Sequence, residues 1–198
     1  MGEVTLDRIK ELRERTMAGM MDCKKALAEA EGDLERAEEL LRVRKKSIAA
    51  RASATREAGV GCISTYTHLG GRIGSMVELR CESDFVSQNE VFQALLKDLC
   101  LQVAASAPEV VERSQLDQST IERERDLIMA NLKDEGKPEN MIPRIAEGML
   151  EKNFYQSSVL MEQPYVKDPA RTVGELVEET SGTTGEKIVV RRFARFEV

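Results

Sequence analysis

The sequence lacks tryptophan and contains only 5 Phe and 3 Tyr in 198 residues. A core built from this chain must therefore be mainly aliphatic, and an aromatic side chain at the surface needs an explanation. No run of residues approaches the roughly 18 apolar residues of a membrane-spanning helix. With 41% hydrophobic and 32% charged residues, the composition is typical of a globular protein in water, and we expect no membrane partner.

Histidine and cysteine are also scarce. The single histidine, His68, lies close to a predicted hairpin turn, where a strand histidine is a better interpretation than a catalytic one. The 4 cysteines form no C-x-x-C pair, so we expect neither a zinc site nor another cofactor. The N-terminus shows no signal-peptide pattern, and we predict a cytoplasmic protein with reduced thiols. The cysteines are Cys23, Cys62, Cys81 and Cys100.

Two glycine-containing runs have the composition of phosphate-binding loops but not their spacing. In GTTGEK, Gly182 and Gly185 are only three positions apart, whereas a Walker loop needs a longer spacing and a Ser or Thr after the lysine. GGRIG, residues 70–74, lies inside a predicted hairpin and lacks the strand-loop-helix context of a dinucleotide site. No carboxylate cluster has obvious metal spacing. The sequence therefore favours a binding protein over an enzyme.

The formal net charge of −6 argues against nucleic acid as the main partner, because phosphate binding requires a basic surface. The charge is unevenly distributed along the chain. RVRKKSIAARASATR, residues 42–56, contains six basic residues and no acid. We favour a flexible, solvated linker for this run over a patch that binds acidic groups.

Residues 4–46 predict three short helices, each with apolar residues at helical spacing. The breaks are TMAG, residues 16–19, and EGD, where Gly32 ends the second helix and Asp33 caps the third. We predict a three-helix module with its basic linker over residues 1–56 and a core domain over residues 57–198. The apolar stripes consist of Leu6, Ile9 and Leu12; Met20, Cys23, Leu27 and Ala30; and Leu34, Ala37, Leu40 and Leu41.

From residue 60 the hydrophobic period changes to two, which is typical of strands. GCISTYTH and RIGSMVELRC flank LGG and predict a β-hairpin whose second strand has one apolar face. A helix over residues 88–104 should pack on that face. The tail KIVVRRFARFEV is rich in β-formers and should add a third strand. We therefore predict an α+β fold with a small antiparallel three-stranded sheet covered by helices.

Between this helix and the tail, the pattern predicts further helical segments. A helix over about residues 119–133 is followed by one over about 138–152, with Pro138 at its start. SSVLMEQPYVKDPAR contains two prolines and is expected to form ordered coil or an edge strand. A short helix over about residues 172–180 should then be stopped by SGTTGE.

The stretch CESDFVSQNEVF, residues 81–92, connects the second strand to the following helix. A capping-box spacing predicts Ser87 as the N-cap of that helix, which leaves Asp84 and Phe85 in a tight corner. Two interpretations stay open at this point. Phe85 could fold back into the core with Asp84 as an alternative cap, or the corner could present an aromatic wedge beside a carboxylate to a partner.

Two long motifs are similar to the signatures of bacterial elongation factor Ts. ELRERTMAGMMDCKKALAEAEGDLERA, residues 11–37, resembles the N-terminal signature, and ELRCESDFVSQNEVF, residues 78–92, resembles the second. GKPENMIPRIAEGMLEKNFYQSSVLMEQPYVKD and VVRRFARFEV extend the resemblance over nearly the whole chain. Met17 stands where the family usually has Gly, and Ser83 where it usually has Thr. The length resembles the short form of the family.

The resemblance implies a guanine-nucleotide exchange factor for the GTPase elongation factor Tu, with no bond-making chemistry of its own. It also implies a ubiquitin-associated-like N-terminal module and a dimerisation core, so we expect a cytoplasmic homodimer. In the family, the acid and aromatic pair enters the G domain of the partner and disturbs the Mg²⁺ site beside GDP. The alternative is a docking or scaffold protein without exchange activity. The site residues implied by the resemblance are Ser83, Asp84, Phe85 and Val86 at the corner, and Met20, Met21 and Lys24 in the module.

Overall fold

The computed structural model describes residues 4–16 and 18–198, and for residues 45, 46 and 48–55 it describes the backbone alone. Met17, where the sequence departs from the family pattern, lies outside the described residues. The chain divides into two compact units. The first comprises the chain as far as Gly61, with Cys81–Phe92 and Val177–Val189; the second comprises Cys62–Arg80, Gln93–Leu176 and Val190–Val198. The domain boundary at residues 56 and 57 stays a prediction.

Three helices begin the first unit: α1, Leu6–Thr16; α2, Met20–Glu29; and α3, Leu34–Thr55. Their apolar stripes meet in one core, which confirms the predicted helical spacing. Two predicted members are wrong, because Leu6 is 66% and Met20 42% exposed. The buried members of this core are Ile9, Leu12, Ala18, Cys23, Ala26, Leu27, Ala30, Ala37 and Leu41.

The break between α2 and α3 forms as its residue types predict. Glu31 and Gly32 both have positive φ, 52° and 86°, and the Gly32 N–H donates to the Leu27 carbonyl at 2.8 Å. A glycine accepts this left-handed conformation without the steric cost of a Cβ atom. Asp33 Oδ1 then accepts from the Arg36 N–H at 3.0 Å, which confirms Asp33 as the N-cap of α3.

The basic run after residue 41 is helical, because α3 continues without a break as far as Thr55. This corrects the expectation of a flexible linker over residues 42–56. Alanine, arginine and lysine are among the strongest helix formers, and the run contains neither glycine nor proline to end the helix. A run of exposed charged residues can form a helix, so the charge of this run does not indicate whether its backbone is flexible.

The predicted three-stranded antiparallel sheet is present, and most of it belongs to the second unit. Its order is β1 (Val60–Thr67), β2 (Ile73–Cys81) and β5 (Val189–Glu197). The hairpin closes where the His68 N–H donates to the Ile73 carbonyl at 2.8 Å. The third strand is aligned by the Val198 N–H, which donates to the Arg72 carbonyl at 3.0 Å. The α+β class is confirmed.

Helix α5, Glu90–Ser106, follows the hairpin and carries the predicted apolar stripe. Leu95, Leu96, Leu99 and Val103 are buried, as are Val77 and Leu79 on the apolar face of β2. The Ser75 hydroxyl of β2 donates to the Cys100 carbonyl of α5 at 2.7 Å, so helix and sheet meet on this face. Burial in the same layer raises the pKa of the Cys100 thiol.

Two helices, α6 (Gln118–Asp134) and α7 (Ile142–Met149), form a pair with an apolar core of its own. The chain continues from α7 through a π-helical turn, Leu150–Tyr155, into the short α8, Gln156–Ser158. The prediction that Pro138 begins this helix is wrong, because α7 begins at Ile142. The Pro138 carbonyl accepts from the backbone N–H groups of the following turn, and the proline in the first turn of α7 is Pro143.

The segment after α8 forms a 3₁₀ turn and then a short hairpin of β3 (Pro164–Tyr165) and β4 (Asp168–Thr172). Helix α9, Val173–Thr184, follows and is longer than predicted. SGTT does not stop it, since the helix continues through these residues, and the Thr184 hydroxyl donates to the Thr180 carbonyl at 3.0 Å. The helix ends at Gly185, which has φ of 74°. Among the described residues, no helix is long and apolar enough to cross a membrane.

Candidate protein-binding site

The corner after β2 contains a four-residue helix, α4, Asp84–Ser87. Its N-cap is Ser83, which is extended at φ −131° and ψ 151° and whose Oγ accepts from the Val86 N–H at 3.3 Å. Ser87 lies inside this turn, and its hydroxyl donates to the Asp84 carbonyl at 2.8 Å. The prediction of Ser87 as the N-cap of the long helix is therefore wrong.

Asn89 caps the long helix α5 instead. Asn89 immediately precedes α5, and its Oδ1 accepts from the N–H of Val91 in the first turn of the helix at 2.8 Å. Asparagine is as good an N-cap as serine, so the sequence contains two competing signals within a few residues. Of Ser87 and Asn89, the structure uses Asn89 as a cap, and a separate cap at Ser83 begins a short helix where we predicted a tight connection.

The short helix α4 projects its aromatic side chain into solvent. Phe85 is 81% exposed, whereas the next two residues, Val86 and Ser87, are buried at 4% and 1%. Asp84 is exposed beside Phe85. The interpretation of Phe85 as a core residue is therefore wrong, and its exposure is what a protruding interface anchor requires.

A glutamate distant in sequence holds the start of this turn. Glu186 Oε2 accepts from the backbone N–H groups of Glu82 and Ser83 at 3.1 and 3.0 Å. Glu186 Oε1 accepts from the Ser83 hydroxyl at 2.5 Å. No sequence pattern indicates this contact, because the two partners are 103 residues apart and GTTGEK has no pattern beyond that of a turn.

Glu82 binds in the opposite direction, from the corner to the turn after α9. Its Oε1 accepts from the Lys187 N–H at 2.6 Å, and its Oε2 accepts from Arg56 Nη1 at 3.5 Å. Arg56 also donates to the Gly185 carbonyl at 3.0 Å. Two carboxylates therefore connect residues 82–83 and 185–187 reciprocally, with one arginine beside them.

The predicted contact residues of the N-terminal helices lie at the surface of α2. Met20 is 42% and Met21 64% exposed, and Lys24 is exposed as well. Met20 does not join the core that Cys23 and Leu27 form, although it shares their helical spacing. All three surface positions fall within the first turn and a half of α2, so one partner surface could reach them together.

Met20 also lines a crevice of about 370 Å³ within the first unit. The crevice brings the start of α2 close to the start of α5, the segment that follows the corner. Its other lining residues are Arg13, Ala18, Gly19, Asn89, Val91, Thr183 and Thr184.

The remaining candidates for chemistry do not converge on a site. His68 is exposed in the turn that follows β1, and its Nδ1 lies 3.1 Å from the hydroxyl oxygen of Tyr66. Across residues 4–16 and 18–198, no group of three or more His, Cys, Asp or Glu side chains could hold a metal ion. The fold and the turn at Phe85 thus define an α+β protein that presents an acid and an aromatic side chain, an arrangement suited to binding another protein.

Comparison with known proteins agrees with the sequence motifs. The family model described as Elongation factor TS matches residues 6–198. An elongation factor Ts from Thermoanaerobacter sp. (strain X514) is 48% identical over 195 residues, covering 98% of this chain and 94% of its own. One from Moorella thermoacetica is 50% identical over 191 residues, covering 96% and 93%. One from Desulforamulus reducens is 48% identical over 199 residues, covering 100% and 90%.

The family model spans almost the whole chain, and these relatives are 48–50% identical to it over nearly their full length. The chain belongs to the elongation factor Ts family. It is accordingly a translation elongation factor.

Proposed function

We propose that this protein binds elongation factor Tu in its GDP-bound form and promotes GDP release, so that GTP can rebind. The single observation that supports this most is the position of Phe85, 81% exposed and next to an exposed Asp84 on a short helix. Membership of the elongation factor Ts family makes elongation factor Tu the expected partner. Exposing an aromatic ring of this size is unfavourable in water unless a partner buries it, so it suits an interface.

The proposed mechanism involves no bond making. In the family that the sequence resembles, the acid and aromatic pair enters the G domain and displaces helices beside the nucleotide and the Mg²⁺ ion. Because protein-bound Mg²⁺ demands near-ideal octahedral geometry and has few protein ligands, a small displacement removes much of its binding energy. At this site, Phe85 would act as the wedge and Asp84 as the charged neighbour, with Ser83 and Val86 forming the base of the turn.

The release of the factor follows from the same coupling. If the protein weakens GDP binding to its partner by some factor, GDP weakens the binding of the protein by the same factor. Incoming nucleotide therefore displaces the protein, and it can act repeatedly. The accelerated dissociation needs no energy source beyond the binding of the partner.

The exposed residues of α2 supply a second contact in this proposal. Met20 and Met21 offer flexible apolar side chains, and Lys24 offers a positive charge one turn further along. They correspond to positions at which the family contacts the G domain. We expect these residues to contribute affinity, and the turn at Phe85 to contribute the acceleration.

We also propose that the protein is a cytoplasmic homodimer that binds neither nucleic acid nor membrane directly. The sheet supports self-association, because its face opposite α5 carries the exposed side chains of Ile63, Met76 and Phe196, which are 59%, 48% and 73% exposed. A charge in this face, Met76→Glu, is expected to convert the dimer to a monomer in sedimentation equilibrium. A dimer unaffected by Met76→Glu would reject this face as the interface.

The exchange activity is tested with purified elongation factor Tu carrying a fluorescent GDP analogue. Release of the analogue is followed after mixing with excess GDP, with and without this protein. We expect release to accelerate in proportion to the concentration of the protein until it saturates. Binding without acceleration would instead indicate a docking or scaffold protein.

A further inference from the structure

The turn that carries Phe85 is too small to be stable by itself. Helix α4 has four residues, far fewer than an isolated helix needs in water. Its apolar anchoring comes from Val86, since the neighbouring Phe85 points into solvent. The direction of Phe85 must therefore depend on polar contacts at the start of the turn.

Glu186 provides those contacts with one carboxylate. It accepts two backbone N–H groups, from Glu82 and Ser83, and the Ser83 hydroxyl that in turn caps the Val86 N–H. Hydrogen bonds to an ionised acceptor are about twice as strong as those between neutral groups. Three of them on consecutive groups fix both the position and the rotation of the first residues of the turn.

The backbone of Glu186 is itself fixed by the end of α9. The Ser181 hydroxyl donates to the Glu186 carbonyl at 2.6 Å, and the Gly185 N–H donates to the Ser181 carbonyl at 2.8 Å. Gly185 has a φ of 74°, which residues with a Cβ atom rarely adopt. The carboxylate is therefore presented from a stable base and not from a freely moving loop.

We propose that Glu186 is a positioning residue for nucleotide exchange, which acts through Ser83 to fix the direction in which Phe85 projects. The effect of Glu186 on exchange rests on the proposed function, whereas its effect on the direction of Phe85 can be measured without a partner. Glu82 supports the arrangement from the other side through its bond to the Lys187 N–H.

The chain lacks tryptophan, so Phe85→Trp creates a single tryptophan at the tip of the turn, whose fluorescence is excited selectively over that of the tyrosines. Time-resolved anisotropy of this reporter is measured in the free protein, with and without Glu186→Gln. We expect Glu186→Gln to increase the amplitude of nanosecond local rotation about twofold. Unchanged local rotation would overturn the proposal, whatever happens to exchange.

The consequence for exchange is measured with Glu186→Gln in the chain that retains Phe85. We expect the maximal rate of GDP release at saturating protein to fall about tenfold, because small misplacements of a working group reduce rates steeply. The melting temperature should change little by comparison. A normal maximal rate would overturn the role in exchange.

Two further variants separate the explanations. Glu178→Gln removes an exposed carboxylate from helix α9, which precedes Glu186, and should change neither the anisotropy nor the exchange rate. Ser83→Ala removes the hydroxyl but keeps the acid, and we expect a smaller change in the same direction. If Glu186→Gln fails to fold, Ser83→Ala alone decides the proposal, and an unchanged anisotropy would reject it. If the unaltered protein does not accelerate GDP release, the proposed function fails, while the anisotropy still reports on Glu186.

Discussion

The corner at Phe85 and the N-terminal helices both present candidate contact residues, but different interactions hold them in place. The helices enclose an apolar core in which Leu12 and Leu27 are fully buried. The corner depends instead on the carboxylates of Glu82 and Glu186. Truncating an apolar side chain should therefore damage the helices, whereas removing a charged acceptor should damage the corner.

Two phenylalanines in the same motif show the difference most directly. Phe85 is 81% exposed, and Phe92 is fully buried at 0%. The same side chain therefore serves stability at one position and is available for contact at the other. Substitutions at the two positions should therefore have opposite effects on stability and on partner contact.

The largest expected effect is on stability. Phe92→Ala is expected to lower the free energy of unfolding by about 4 kcal/mol, because it leaves a cavity in a close-packed core. Phe85→Ala should change it by less than about 0.5 kcal/mol, since its ring is exposed. Urea denaturation followed by circular dichroism measures both. Similar losses for the two variants would show that Phe85 is a core residue after all.

Leu27→Ala is expected to cost about 3 kcal/mol, because Leu27 is fully buried among the three helices. Because a core of this size provides little stability, we expect the three helices to unfold locally in this variant. Hydrogen exchange measured by mass spectrometry should show lost protection in α1 and α2 but retained protection in the hairpin. Loss of protection along the whole chain would mean that the module and the hairpin unfold together.

Asp84→Ala is expected to slow the maximal rate of GDP release by about tenfold, equivalent to roughly 1.4 kcal/mol, while association changes less. In the proposed mechanism, the carboxylate acts on the charges beside the nucleotide and contributes less to affinity. Stopped-flow titration separates the two quantities. Glu90→Ala removes an exposed carboxylate from the start of α5 and serves as the matched control. A loss confined to affinity would argue against this role of Asp84.

The smallest effect is expected in α2. Lys24→Ala should weaken binding to elongation factor Tu by about 1 kcal/mol, with a maximal release rate close to normal, because we propose that this contact contributes affinity and not acceleration. The neighbouring Lys25→Ala should have less effect, since only Lys24 matches a contact position of the family. Equal effects of both variants would indicate a general attraction of charge and no specific contact.

Local patterns were sufficient to predict most of the fold. The hairpin and the stripe of α5 followed from hydrophobic period, and the third strand followed from the β-forming residues of the tail. Gly32 and Asp33 marked the break between α2 and α3. Predictions were wrong where two local signals competed. Ser87 and Asn89 are both good caps, and the Ala-rich basic run has the charge of a linker but the propensity of a helix.

The candidate site was less accessible to sequence reasoning. The resemblance indicated Asp84 and Phe85, but the local pattern alone left open whether Phe85 folds into the core. Glu186 was missed because its partners are 103 residues away and nothing local distinguishes one glutamate after a helix from another. Long-range polar contacts of this kind become visible only when the fold brings the two segments together.

In the proposed mechanism, Phe85 acts on the nucleotide site of a partner and not on the stability of its own fold. The most direct test compares release of a fluorescent GDP analogue from elongation factor Tu in the presence of the unaltered protein and of Phe85→Ala. We predict that the unaltered protein accelerates release and that Phe85→Ala, fully folded, loses roughly 2 kcal/mol of that effect, about thirtyfold. Equal acceleration by the two folded proteins would contradict the claim.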